Sequence, residues 1–323
     1  MSLAGFAGAS DTGRKRRRNE DAYVVAPPLF AVADGMGGAQ AGEVASRLAK
    51  AALEDTDSGS LKGSERVVSL IQEANRRVYE RSNADPEASG MGTTMTVALV
   101  EGAHVVFGHV GDSRAYMLRD GRMEQLTEDH SLVNELLKSG KLSPEEAETH
   151  PQRSVITRAV GTDPDVDVET FTVDAQAGDV FLICSDGLTD MVDDEEIFGV
   201  LDRHQDDLDR ASKALVSAAN RGGGVDNITV VTFAIGADGD DTVAMPAAAA
   251  EDDTLHGVKT ETVDTMVVPP DQVEQVLLEA GSAEALAAVQ REPISPAARV
   301  RLVLTMLGLL AIAAVLLIWG LLR

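Results

Sequence analysis

Apolar positions recur along the first part of this chain in two rhythms, and each predicts a different element. Val44, Leu48 and Ala52 share one face at helical spacing, as do Val67, Ile71, Ala74 and Val78. A third helix is expected through Leu208, Ala211, Leu215 and Ala218. Strand-like runs cover Leu29–Ala33, Thr93–Val100, His104–Val110, Arg114–Leu118, Val180–Cys184 and Ile228–Ile235. Asp120-Gly121 is a hairpin turn signal. Consecutive strands joined by hairpins favour antiparallel sheets. Helices grouped between strand blocks favour α+β layers over a regular βαβ alternation.

Both rhythms stop near Ile235. Residues 237–298 read as an acidic linker, in which 13 acidic side chains face only Lys259 and Arg291. Such a stretch buries too little apolar surface to offset chain entropy, so flexibility is the expectation. One short helix is expected over Gln272–Gln290. From Leu302 to Leu322 the chain carries no charge, and Trp319 sits near the far end. A helix of that length covers about 30 Å, one bilayer core. The pattern thus predicts three parts: a catalytic-size domain over 1–236, the linker over 237–298, and a single transmembrane helix over 299–323.

Composition narrows the chemistry. The chain has 323 residues and a formal net charge of -25, which argues against nucleic acid as a partner. An acidic balance serves either solubility or the capture of hard cations. The single cysteine, Cys184, excludes an internal disulfide and lies in an apolar run, where a buried inert thiol is expected. The six histidines show no HExxH, and no GxSxG elbow or P-loop is present.

Acidic residues instead recur beside tight turns at the ends of apolar runs: Glu20-Asp21, Asp34-Gly35, Asp112, Asp186-Gly187 and Asp226-Asn227. Any one Asp-Gly is an ordinary turn pair. Together they predict carboxylates converging at one sheet edge, where mutual repulsion requires protons or cations. An all-oxygen set suits magnesium or manganese. A pair of such ions activates water and offsets charge in phosphoryl displacement. The basic run Arg14-Lys15-Arg16-Arg17-Arg18 lies just before Glu20, where one guanidinium can take a phosphate by two hydrogen bonds.

The order of these pieces resembles the metal-dependent protein phosphatases of the PPM family, type 2C, in their bacterial form. The matching segments are Arg16–Asp21, Ala33–Gly38, Gly42–Ser46, Gly90–Thr94, Gly108–Arg114, Leu126–Ser131, Ile156–Gly161, Cys184–Leu188 and Gly224–Thr229. The resemblance runs over about residues 5–235. It implies a four-layer α-β-β-α sandwich with two central antiparallel sheets. It also implies roles. Asp34 would bridge two divalent ions, Asp186 and Asp226 would complete one, and Glu20 and the Gly35 carbonyl would serve the other. Asp21 would hold a metal-bound water, Asn227 would support the ligands from behind, and Arg16 would clamp phosphate. Asp112 and Asp190 match positions that hold a third ion in bacterial members. The segment from about Leu142 to Arg158 matches a mobile flap. Met36 stands where some members carry a histidine proposed as general acid.

The implied activity is hydrolysis of phosphoserine and phosphothreonine on proteins by a metal-bridged hydroxide, with two or three manganese or magnesium ions as cofactors. The implied partners are phosphoproteins, among them a Ser/Thr kinase and its substrates. A catalytically dead binding module is the rival, and the presence of Asp34, Asp186 and Asp226 weighs against it. No secretory signal is read at the start, and Arg299 and Arg301 outnumber Arg323 across the apolar segment. A cell-membrane protein with a single pass and a cytosolic catalytic domain is expected.

Overall fold

A computed structural model describes residues 2–37, 41–56 and 60–237, and the backbone of 266–267. In chain order the strands are β1 (Ser2–Asp11), β2 (Asp21–Ala26), β3 (Leu29–Met36), β4 (Gly92–Thr93), β5 (Met95–Glu101), β6 (His104–Val110) and β7 (Arg114–Arg119). They continue as β8 (Arg122–Gln125), β9 (Val155–Ile156), β10 (Glu169–Asp174), β11 (Val180–Cys184), β12 (Ile228–Gly236) and β13 (Met266–Val267). The helices are α1 (Ala41–Asp55), α2 (Gly63–Ala84), α3 (Leu132–Lys138), α4 (Pro144–Glu148), α5 (Asp186–Thr189), α6 (Asp194–Arg203) and α7 (Leu208–Gly222).

Two antiparallel sheets form the centre. One runs β1-β12-β11-β7-β8, the other β10-β6-β5-β3-β2, with β4 paired to β3. Their facing sides supply Phe30, Phe107, Phe181 and Phe233, all fully buried. Phe233 stacks on Phe30 and Phe181 at centroid separations of 4.4 and 4.9 Å. Burying each such ring contributes about 1.5–3 kcal/mol, so few aromatics suffice when four sit at the layer centre. The outer faces are covered separately. Ala45, Ala49 and Ala52 of α1 bring that helix close to the second sheet, beside Val67, Ile71 and Val78 of α2. Leu215, Ala219, Ile197 and Leu201 of α7 and α6 cover the first sheet. The expected α-β-β-α sandwich is therefore present.

Several elements differ from the pattern-based reading. β3 continues through Asp34-Gly35 to Met36, because Gly35 and Met36 pair with Thr93 and Gly92; that Asp-Gly lies within a strand and not in a turn. β1 was not anticipated. Its Gly- and Ala-rich sequence hides the period, since a Cβ at Gly8 would lie 2.7 Å from the Tyr23 ring. At Asp120 and Gly121 φ is 51° and 70°, the left-handed pair that the β7–β8 hairpin needs. The stretch expected as a linker also contains structure: β13 falls inside it and pairs in parallel with β9. An apolar Thr-Met-Val-Val stretch ahead of Pro269 suits an extended strand. The remaining linker, its expected helix over 272–290 and the expected membrane helix over 299–323 lie outside the described residues. Among the described residues no helix is long and apolar enough to cross a membrane.

Candidate metal centre

The sheets deliver the acidic residues to one end of the sandwich. Asp21 opens β2 and Asp34 lies directly across from it on β3. β11 ends at Cys184, and Ser185 then starts α5 with Asp186 as its first residue. Asp226 and Asn227 precede β12. Asp112 follows β6 in a turn where Gly111 takes φ 111°. A Cβ on Gly111 would meet the Thr94 side chain at 2.6 Å.

Asn227 ties these ends together. Its Nδ2 donates to the carbonyls of Thr12 and Arg18, each at 2.9 Å, and its Oδ1 accepts from the Glu20 amide at 2.8 Å. The basic loop is thus fastened to β12 through one buried amide. Gly35 packs equally tightly. Its amide donates to the Glu20 carbonyl, and a Cβ there would fall 2.1 Å from the Gly42 carbonyl oxygen. Glu20, Gly35 and Gly42 are therefore in mutual contact: the Glu20 carboxylate Oε2 is 2.7 Å from where a Gly42 Cβ would stand. Thr94 links the end of β3 to the turn after β6, accepting from the Asp34 amide at 3.0 Å and sharing a 2.8 Å hydrogen bond with Ser113.

The electrostatics mark these carboxylates off from the surface ones. Burial pushes Asp21 up to about 6, against hydrogen bonds from Thr229 and Ser185 that pull it down. Burial, then the neighbouring Asp129, pushes Asp112 up to about 7. Asp34 is held well above the ordinary range by burial and then by Asp21, Asp186, Asp226 and Asp112. Asp186 is raised likewise, by burial and then by Asp112, Asp226, Asp190 and Asp21. Oδ1 of Asp21 and Oδ1 of Asp186 are both buried without a hydrogen-bond partner. Buried acceptor oxygens left unpaired and repelling one another cost stability unless a cation or proton offsets them.

Each expected site residue can now be placed. Asp21, Asp34, Asp186 and Asp226 lie within Coulomb reach of one another, with Asp112 close to Asp34 and Asp186. Asp190 is more peripheral, and its Oδ2 accepts from Arg153 at 3.2 Å. Arg16 donates to Asp226 at 2.7 Å, and Glu20 and Asp34 add to the field that favours its charge. Arg18 reaches Glu43 instead. Among the described residues no three carboxylate, imidazole or thiol groups already close on one point as a finished cation site. The donor set nonetheless suits a hard cation: it is all oxygen, and two of its oxygens are orphaned. Met36 is buried against Ile156 and Ala159, so its side chain serves packing.

Sequence reading passed over some residues that shape the site. Ser185 donates to Asp21 Oδ2 at 2.9 Å and accepts from the Thr229 amide. Arg114 grips Asp129 through Nε and Nη2, at 2.9 and 2.7 Å. A cleft of about 610 Å³ opens here, lined by Asp112, Asp186 and Asp190 together with Pro144, Arg153 and Ser154. Ser185 and Arg114 stood in the quoted motifs, but only the folded register shows what they touch.

A family model described as Protein phosphatase 2C matches residues 12–219. The serine/threonine phosphatase stp of Listeria innocua is 41% identical over 233 residues, covering 69% of this chain and 92% of that protein. A crystal structure of the Mycobacterium tuberculosis serine/threonine phosphatase PstP/Ppp superposes with a TM-score of 0.68 at 40% identity, covering 72% of this chain and 98% of that one. A second PstP structure, the catalytic domain in complex with two manganese ions, gives a TM-score of 0.66 at 38% identity, with 72% and 98% covered.

Proposed function

The chain belongs to the protein phosphatase 2C family, and from that premise we propose how its own residues carry the reaction. It is a metal-dependent protein serine/threonine phosphatase using manganese or magnesium. Asp34, Asp186 and Asp226 would hold one ion, and Asp34, Glu20 and the Gly35 carbonyl would hold the other. Asp112 and Asp190 would hold a third, and Asp21 would support the ions through water. The cations supply Lewis acidity, giving a water nucleophile at neutral pH and offsetting charge on the phosphoryl group. The observation that carries this assignment is the pair of orphaned, buried oxygens on Asp21 and Asp186 inside a mutually repelling carboxylate cluster.

The protein's contribution is placement and charge. Arg16 is confined beside Asp226 and aims its guanidinium at the cluster. With Asp226 engaged by a cation, Arg16 would take the phosphoryl oxygens as a two-pronged donor. Ser185 fixes one oxygen of Asp21, while the other is buried with no hydrogen-bond partner among the described residues. Met36 has no proton to give, so the leaving serine or threonine oxygen takes its proton from solvent or another group. The substrates are phosphoproteins of a Ser/Thr kinase, the kinase included. Apolar residues 302–322 anchor the chain to the cell membrane, with the catalytic domain on the cytosolic side.

The test is phosphate release from a phosphothreonine peptide by the full chain. Manganese-dependent release that disappears with excess chelator and in Asp186→Asn is expected. Undiminished release by Asp186→Asn would remove the assignment. For the anchor, deleting 299–323 should release the protein from membranes with peptide turnover kept; continued membrane pelleting would refute it.

A further inference from the structure

β9 is two residues long and is paired on both sides. Ile156 forms an antiparallel bridge with Ser131 at the start of α3. On the other side Val155 and Ile156 pair in parallel with Met266 and Val267 of β13. β9 belongs to the flap expected from residue 142 to 158. Arg153 and Ser154 just before it line the acidic cleft, and Arg153 reaches Asp190. Ile156 packs on Met36, which directly follows Asp34-Gly35 on β3. A continuous path of contacts therefore runs from the linker strand to the carboxylate cluster.

An open strand edge accepts an extended peptide through main-chain hydrogen bonds, which are tolerant of side-chain sequence. A phosphatase that acts on many proteins needs that tolerance. The β9 edge lies beside the cleft into which a phosphorylated side chain must pass. In this chain the edge is filled from within, by a segment roughly thirty residues beyond the end of β12. Two paired residues make few hydrogen bonds, so the contact is reversible. Tethering compensates, because a short linker holds a segment at an effective concentration on the order of millimolar.

We infer that the β9 edge of the flap is a docking site for extended substrate backbone, and that Met266–Val267 occupies it in cis, so that the linker competes with protein substrates for the flap. The competition rests on the phosphatase reading above, whereas the strand pairing stands apart from it.

The experiment uses the full chain carrying Met266→Pro and Val267→Pro, which removes both backbone donors of β13. A Met266→Thr, Val267→Thr chain keeps strand-compatible residues and serves as the matched control. Amide hydrogen exchange at Ile156 reads the pairing, because the Val155 N–H is already given to the Gln152 carbonyl within the flap. Turnover of a phosphothreonine peptide reads the competition, and turnover of p-nitrophenyl phosphate reports whether the site is intact. In the proline chain, exchange at Ile156 should rise and KM for the peptide should fall about tenfold, equivalent to ~1.4 kcal/mol. The threonine chain should match the native one, and p-nitrophenyl phosphate turnover should be unchanged in both. Unchanged exchange in the proline chain would show that the edge is not filled in solution and overturn the proposal. Raised exchange with unchanged peptide KM would overturn the competition, leaving the phosphatase reading intact. Loss of p-nitrophenyl phosphate turnover in the proline chain would mean that β13 supports the site instead of obstructing it, which also overturns the proposal.

Discussion

Asn227→Ala removes the amide that fastens the loop over residues 12–20 to β12. Three hydrogen bonds are lost, to the carbonyls of Thr12 and Arg18 and from the amide of Glu20. Asn227 is 3% exposed, so water does not simply replace its side chain. At about 1 kcal/mol net for each bond the loss is ~3 kcal/mol, more where a buried partner stays unsatisfied. For a domain of this size that corresponds to a fall of roughly 6–12 °C in Tm. Activity should fall further than stability alone explains, because the same loop carries Arg16 and Glu20. The assay is thermal unfolding in chelator alongside kcat/KM on a phosphothreonine peptide at a temperature where the variant is folded. A Tm within about 2 °C of the native chain, with kcat/KM unchanged, would refute the view that this amide holds the loop in place.

Other outcomes follow from the same geometry. Gly187→Ala places a Cβ 2.0 Å from the Asn227 carbonyl oxygen, a backbone atom that cannot swing aside, and should cost about 3 kcal/mol or more in denaturant unfolding; a cost below about 1 kcal/mol would contradict that packing. The pH dependence of stability should reverse slope with the metal. In chelator, Asp112 and Asp21, raised to about 7 and about 6, bind protons in the folded state before they would in the unfolded one, and Asp34 and Asp186 act likewise. Stability should therefore rise as pH falls from about 7 to about 5, at about 1.4 kcal/mol per pH unit for each fully engaged group. His109 and His130 are pushed down to about 4, chiefly by burial, and work in the opposite sense below about 6.5. With saturating manganese the carboxylates no longer titrate over this range, and Tm should instead decline toward pH 5. Parallel Tm profiles in manganese and in chelator would refute the reversal.

The legibility of this fold varied with the kind of signal each element carried. β6 and β11 run over the same residues that their apolar runs marked, because every residue of the two except His104 is buried. β1 escaped because close approach to Tyr23 selects Gly and Ala, which carry no hydrophobic period. α3 and the flap elements α4 and β9 escaped because they are short and held by caps and single bridges, such as the Ser143 capping box. The acidic residues were individually readable as turn residues, and their convergence rested on each lying beside a buried strand. That placement explains why Asp21 and Asp34 face each other across β2 and β3. It did not reveal that Arg153 would engage Asp190, or that two linker residues would join the flap, since both depend on contacts distant in sequence.

The most direct test of the central claim counts bound ions and turnover on the same samples. Manganese retained by the native chain and by Asp34→Asn is measured by calorimetric titration, with peptide dephosphorylation assayed in parallel. The native chain should bind at least two ions and release phosphate, and Asp34→Asn should lose ions and activity together while its chelator-treated Tm holds or rises, because one repelling charge has gone. An Asp34→Asn chain that binds manganese as the native chain does and still hydrolyses the peptide would contradict the account.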